Sequence, residues 1–193
     1  EELTAALLAA DADRCRVLLL ELWRLGFSPA EIGDKVVAPA FERIGQDWEC
    51  GKLEVYQERA ACNLMSEILA ELDRLLPESR PDQPLAVGGS LSHDHYRLAS
   101  QLVRLVFREK GWQAMHLGAD LPSETLARAI HDLKPDIFWV SISYSASVDD
   151  LIAAFQKLFE AAKEEGALLV VGGREIDESL RRQLHYSFFC QDL

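Results

Sequence analysis

Residues 136–143 read DIFWVSIS, an almost unbroken apolar run. A strand with one wet face alternates apolar and polar side chains. A run without alternation marks a strand buried on both faces, the situation in parallel sheets covered by helices. The flanks agree. Upstream, SETLARAIHDLK (123–134) has helical spacing behind a Ser123 cap, and downstream SVDDLIAAFQKLFEAAKEEG (147–166) reads as another helix. Farther out, LAVGG (85–89), WQAMHLG (112–118) and ALLVVGG (167–173) read as strands, with YSFFC (186–190) as an edge strand. HYRLASQLVRLVFREKG (95–111) is a helix with Leu98, Leu102, Leu105 and Val106 on one face, and IDESLRRQLH (176–185) is a further helix. Five strands alternating with helices predict an α/β fold: a Rossmann-like, flavodoxin-like doubly wound parallel sheet, with its binding crevice at the carboxyl ends of the strands. The polar stretch SLSHDHYRLAS (90–100) leaves the first strand and so stands at that crevice.

The first half of the chain has the helical period instead. LTAALLAA (3–10) is a short opening helix, and ADRCRVLLLELWRLG (12–26) carries Val17, Leu18, Leu20, Leu22 and Leu25 before Gly26. Ser28-Pro29-Ala30-Glu31 is a capping box with a first-turn proline. The helix behind it holds Val36, Val37, Phe41 and Ile44 and is expected to kink at Pro39. LEVYQERAACNLMSEILAELDRLL (53–76) repeats Ala61, Leu64, Met65, Ile68, Leu72 and Leu75. This is the pattern of a four-helix bundle. PESRPDQP, with three prolines, cannot continue a helix. The expected organisation is therefore a helical cap over 1–77, a linker over 78–84 and the sheet domain over 85–193.

Among 193 residues, 32 are acidic and 20 basic, a formal net charge of -12, and 49% are hydrophobic. Packed cores follow easily; direct nucleic-acid binding does not, because phosphates must be met by Lys and Arg. Cys15, Cys50, Cys62 and Cys190 form no C-x-x-C pair, which argues against zinc or a disulfide framework and for a reducing, cytoplasmic setting. No apolar run reaches membrane-spanning length. The chain opens at Glu1 without Met and closes on FFCQDL, so it is expected to be a piece of a longer protein. No nucleophile, base and orienting group fall into a pattern, and the expectation is a protein that is not an enzyme.

Asp94-His95-Tyr96-Arg97-Leu98-Ala99, then 41 residues, then Ser141-Ile142-Ser143, then 28 residues, then Gly172-Gly173 resembles the spaced Asp-x-His-x-x-Gly, Ser-x-Leu and Gly-Gly motifs of the Rossmann-like cobalamin-binding domain. That domain is shared by corrinoid methyl-transfer proteins, B12-dependent mutases and B12-based light-sensing regulators. HLGADLPSETL (116–126) is similar to the family's second strand and turn. Pro39-Ala40, Ile44-Gly45, Trp48, Gly51 and Glu58 resemble the four-helix cap that precedes the domain in methionine synthase and in the B12 photoreceptors. The resemblance implies a tetrapyrrole pocket built from Trp48, Glu58, Arg59, Asp94, Tyr96, Ala99, Ser141, Ser143, Gly172 and Gly173. In the family a histidine, oriented by the aspartate, is the lower axial ligand of cobalt.

Here Tyr96 holds the histidine's place, and a phenol ionises near pKa ~10. Ala99 replaces a glycine, Ser143 a leucine, and Arg59 the histidine of the upper face. The glycines allow two accounts: room for the cofactor's nucleotide tail, or a tight strand-to-helix turn. His95 and His93 are the candidate ligands of a different metal group, with solvated loop histidines as the alternative. These departures resemble the SCHIC domain (sensor containing heme instead of cobalamin) of AppA- and PpaA-type antirepressors. That likeness implies a regulatory sensor that engages a DNA-binding repressor, not DNA, with heme ranked ahead of cobalamin as cofactor and an empty pocket as the third outcome. The competing expectations are a cobalamin-binding photoreceptor regulator or methyl carrier that binds B12 without a histidine, and a ligand-free interaction module.

Overall fold

The computed structural model describes residues 1–193. The chain divides into two compact units, Glu1–Pro77 with Leu193, and Glu78–Asp192. None of its helices is long and apolar enough to cross a membrane.

The helical unit contains α1 (Glu2–Leu8), α2 (Ala12–Arg24), α3 (Pro29–Ile32), α4 (Ala38–Glu49) and α5 (Val55–Leu75). Ser28 and Glu31 close the reciprocal capping box at the start of α3. Between α3 and α4 the chain makes a π-helical turn, Gly33–Val37, in which Ala38 N donates to the Gly33 carbonyl five residues back. The expected kink at Pro39 is thus realised upstream, as a widened turn just before a residue with no N–H to give. Leu7, Leu19, Ile32, Ile44, Met65, Ile68 and Leu69 form the buried interior. On α2 the phase differs from expectation. Cys15 and Leu19 face the core, whereas Val17 and Leu25 are exposed, because a run of leucines fixes no helical phase by itself.

The second unit contains β1 (Leu85–Gly89), α6 (Leu98–Glu109), β2 (Gln113–His116), α7 (Ser123–Leu133), β3 (Ile137–Ser141), α8 (Val148–Glu165), β4 (Leu168–Gly172), α9 (Glu178–Arg181) and β5 (Phe188–Cys190). All neighbours pair in parallel, in the order β2-β1-β3-β4-β5. This is the flavodoxin-like arrangement predicted from the alternation, and its switch point lies between β1 and β3. Alternate residues of β3 serve opposite faces. Phe138, Val140 and Ile142 join Val87, Leu169 and Val171 in the apolar core with Leu126, Ile130, Phe155 and Leu158 of α7 and α8. Trp139 and Ser141 face α6, which packs on β1, β2 and β3. Two local expectations change. Pro122, not Ser123, caps α7, and the Ser123 hydroxyl instead meets Glu124 and Lys157. α9 is a single turn capped by Asp177, far shorter than 176–185.

Candidate ligand-binding site

The loop leaving β1 is organised by one carboxylate. Asp94 is 1% exposed. Its Oδ1 accepts from Tyr96 N at 3.1 Å, and its Oδ2 accepts from Ser143 N at 2.6 Å and Tyr144 N at 3.3 Å. One side chain therefore ties the β1 loop to the β3 loop across the switch point. Burial pushes its pKa up, and the three N–H donors oppose that rise. Asp120, a residue the sequence did not single out, holds the loop from the β2 side. Its N–H donates to the Asp94 carbonyl at 2.9 Å, and its Oδ1 accepts from His93 N at 2.7 Å. Both His93 (φ 72) and Asp120 (φ 57) are in the left-handed region, which only the finished loop reveals.

Beneath the loop lies a chain of buried hydroxyls. Ser100 Oγ and Ser141 Oγ are 2.7 Å apart, Ser141 Oγ and Ser90 Oγ 3.2 Å, and Ser90 Oγ donates to the Tyr96 carbonyl at 3.2 Å. Trp139 Nε1 donates to Ser100 Oγ at 3.2 Å and closes the chain. Tyr96 is half-buried, with the Arg174 guanidinium 5.7 Å from its ring centroid. Ala99 is the second residue of α6, where helical backbone has no need of glycine. A cavity of about 370 Å³ opens between these loops and the starts of α7 and α8, lined by Asp94, Ser141, Tyr144, Ser145 and Lys157 among others.

The structure brings Asp94, Tyr96, Ser141 and Ser143 together. Gly172 and Gly173 are explained by packing. A Cβ on Gly172 would meet the Cys190 carbonyl at 2.9 Å, and one on Gly173 (φ 130) the Ile142 carbonyl at 2.1 Å. His93 and His95 are exposed, and His95 Nδ1 lies 3.6 Å from Asp120 Oδ2. In the helical unit Glu58 is buried, accepting from Cys62 Sγ at 3.3 Å with Arg59 Nε 3.4 Å away, and Trp48 is exposed at the end of α4.

These residues do not fit a corrinoid gripped from below by a protein imidazole. A phenol stands where the imidazole belongs. The carboxylate that would orient a ligand already has backbone donors on both oxygens, and the serine and glycine positions are filled by the protein's own contacts.

A family model described as a B12 binding domain matches residues 1–73, and a second of the same description matches 84–190. The HTH-type transcriptional repressor CarH of Myxococcus xanthus is 28% identical over 173 residues, covering 90% of this chain and 56% of that protein. The dimethylamine corrinoid protein of Methanosarcina barkeri is 22% identical over 175 residues, covering 90% of this chain and 82% of that protein. The chain thus spans little more than half of the repressor's length. The fold superposes on the monomethylamine corrinoid protein of Methanosarcina barkeri with a TM-score of 0.80 at 16% identity, over 100% of this chain and 92% of that one.

These matches overturn the ranking of heme ahead of cobalamin: the family and the relatives' names point to corrinoid. His95 and His93, the candidate heme ligands, are both exposed, and His95 lies beside Asp120. With the second match alone spanning more than half of its residues, the chain belongs to the B12 binding domain family.

Proposed function

We propose that this chain is a cobalamin-responsive regulatory domain that acts on a DNA-binding repressor through protein contact. In this reading no side chain of this chain would be the lower ligand of cobalt, and a bound cobalamin would have to bring its own base. The observation that carries it is Tyr96, a phenol at the lower-ligand place, beside an Asp94 whose carboxylate is engaged by three backbone N–H groups. Without an axial side chain the protein has little grip on cobalt reactivity, which suits a receptor better than a methyl carrier. The similarity to a transcriptional repressor and the net charge of -12, unsuited to DNA but suited to a basic protein surface, support the regulatory half. Signalling then requires only that ligand bind one conformation better than another, shifting the population that the partner sees. When bound, the cofactor supplies the light- or redox-responsive metal. This chain's residues supply the loops at the ends of β1 and β3 that would register its presence.

The test is a titration with hydroxocobalamin followed by gel filtration. One equivalent of corrinoid absorbance retained on the protein is the expected result. Complete loss of corrinoid from the protein peak would leave the interaction module as the better reading.

A further inference from the structure

One row of side chains decides what can lie against the α6 face of the sheet. The strand register sets His116, Gly88, Trp139 and Val170 side by side on β2, β1, β3 and β4. A Cβ on Gly88 would stand 2.3 Å from Trp139 Cδ2, so the indole leans over the bare backbone of the neighbouring strand. Trp139 is 2% exposed, and its ring stacks on Phe107 of α6 at 5.7 Å between centroids. Its only polar atom is satisfied by Ser100 Oγ, which continues into the Ser141 and Ser90 chain toward the loop. Space that a glycine could leave open in the middle of the sheet is thus closed by the largest side chain available. It is held on one side by stacking and on the other by a complete hydrogen-bond chain.

We infer that Trp139 keeps the nucleotide arm of cobalamin out of the interior of the sheet unit. It is the residue that selects the form of the ligand: base on the cobalt, arm outside. The inference rests on the cobalamin reading above and deepens it. It turns on crowding at Gly88 and Trp139, a feature separate from the identity of residue 96. Even a Tyr96→His chain would meet a closed interior.

The experiment uses the protein loaded with cobalamin reduced to the cobalt(II) state, whose electron paramagnetic resonance lines are split into triplets by an axial nitrogen. The protein is labelled uniformly with the heavy nitrogen isotope, so that a protein imidazole would give doublets. Triplets in the labelled protein are expected, since the nitrogen then belongs to the cofactor's own base. Doublets, or the absence of splitting, would mean that the base has been displaced and would overturn the inference while leaving cobalamin binding intact. Failure to retain cobalamin at all would overturn the underlying reading together with it. Trp139→Ala, or Trp139→Leu where the alanine variant fails to fold, is expected to lose the triplet in a measurable share of sites as the arm enters. Unchanged triplets in a folded variant would remove Trp139 from this role.

Discussion

The two faces of the sheet share the same strands and are built on different principles. The face toward α7 and α8 is uniformly apolar: Val87, Phe138, Leu169 and Val171 are all 0% exposed and meet Leu126, Ile130, Phe155 and Leu158. The face toward α6 carries Gly88, Trp139, Ser90, Ser141 and His116, with Ser100 of the helix set among them. The first face obeys only volume and hydrophobicity. The second also carries buried polar atoms, which the hydroxyl chain pairs because an unpaired buried group costs more than its hydrogen bond returns; His116 Nε2 stands outside that chain. The apolar face can therefore exchange similar side chains at little cost, except where Leu151 and Ala154 also line the cavity. On the α6 face one large ring, Trp139, stands over the bare backbone of Gly88 and fills the space there.

The largest break in this comparison comes from the apolar face. Phe138→Ala removes a fully buried ring from the centre of the core and should cost about 3–5 kcal/mol. Urea denaturation measures it as a lower midpoint at unchanged slope. A loss below about 1 kcal/mol would mean that the core around β3 collapses into the void, and that this face is less rigid than its packing implies.

How much of this was legible in the residues differs by face as well. The apolar run at 136–143 announces a strand buried on both sides, and the alternation with helices announces the parallel order. The spacing of Asp94, Ser141 and Gly172-Gly173 locates the loops at the switch point. Trp139 was hidden by the same run that revealed the strand, since a continuous apolar segment does not say which alternate residues face which helix. The signal that existed is parity: Trp139 is two residues before Ser141 and must share its face. Asp120 gave no signal at all. Its role depends on a positive φ and on a backbone N–H brought from another strand, neither of which a lone sequence displays. Tyr96 was legible as a departure, yet the occupation of both Asp94 oxygens by N–H groups needed the folded loops.

A smaller effect, confined to the α6 face, comes from pH. His116 ends β2 with its Nε2 buried and unpartnered. Burial, seconded by Arg97 and Arg104, pushes its pKa down from 6.5 to about 4. The unfolded chain therefore binds a proton that the folded one refuses, so stability is complete above about pH 6.5 and declines as pH falls toward about 4. The full shift corresponds to about 3 kcal/mol, and the partly open surroundings reduce it to about 2 kcal/mol. Because carboxylates titrate in the same range, the measurement is the difference between wild type and His116→Gln in urea midpoints from pH 7 to pH 4. A shrinking gap in favour of the variant is expected. Parallel curves would show that the imidazole reaches water.

The smallest effect sharpens the contrast most. Ser100→Ala removes one oxygen, at 0% exposure, that receives the Trp139 N–H and shares a proton with Ser141. On the other face, trimming a methyl from a residue such as Ile130 (Ile130→Val) changes only packing. Here the same volume change strands an indole donor and uncouples Ser141 from Trp139, so about 1–2 kcal/mol should be lost despite the small cavity. Tryptophan fluorescence should report it too, through altered emission of a ring whose N–H has lost its acceptor. If Ser100→Ala proves neutral and the emission unchanged, the hydroxyl chain is dispensable, and Trp139 is held by stacking on Phe107 alone. The α6 face would then follow the packing rules of its opposite, and the difference between the two sides of the sheet would reduce to which residues fill it.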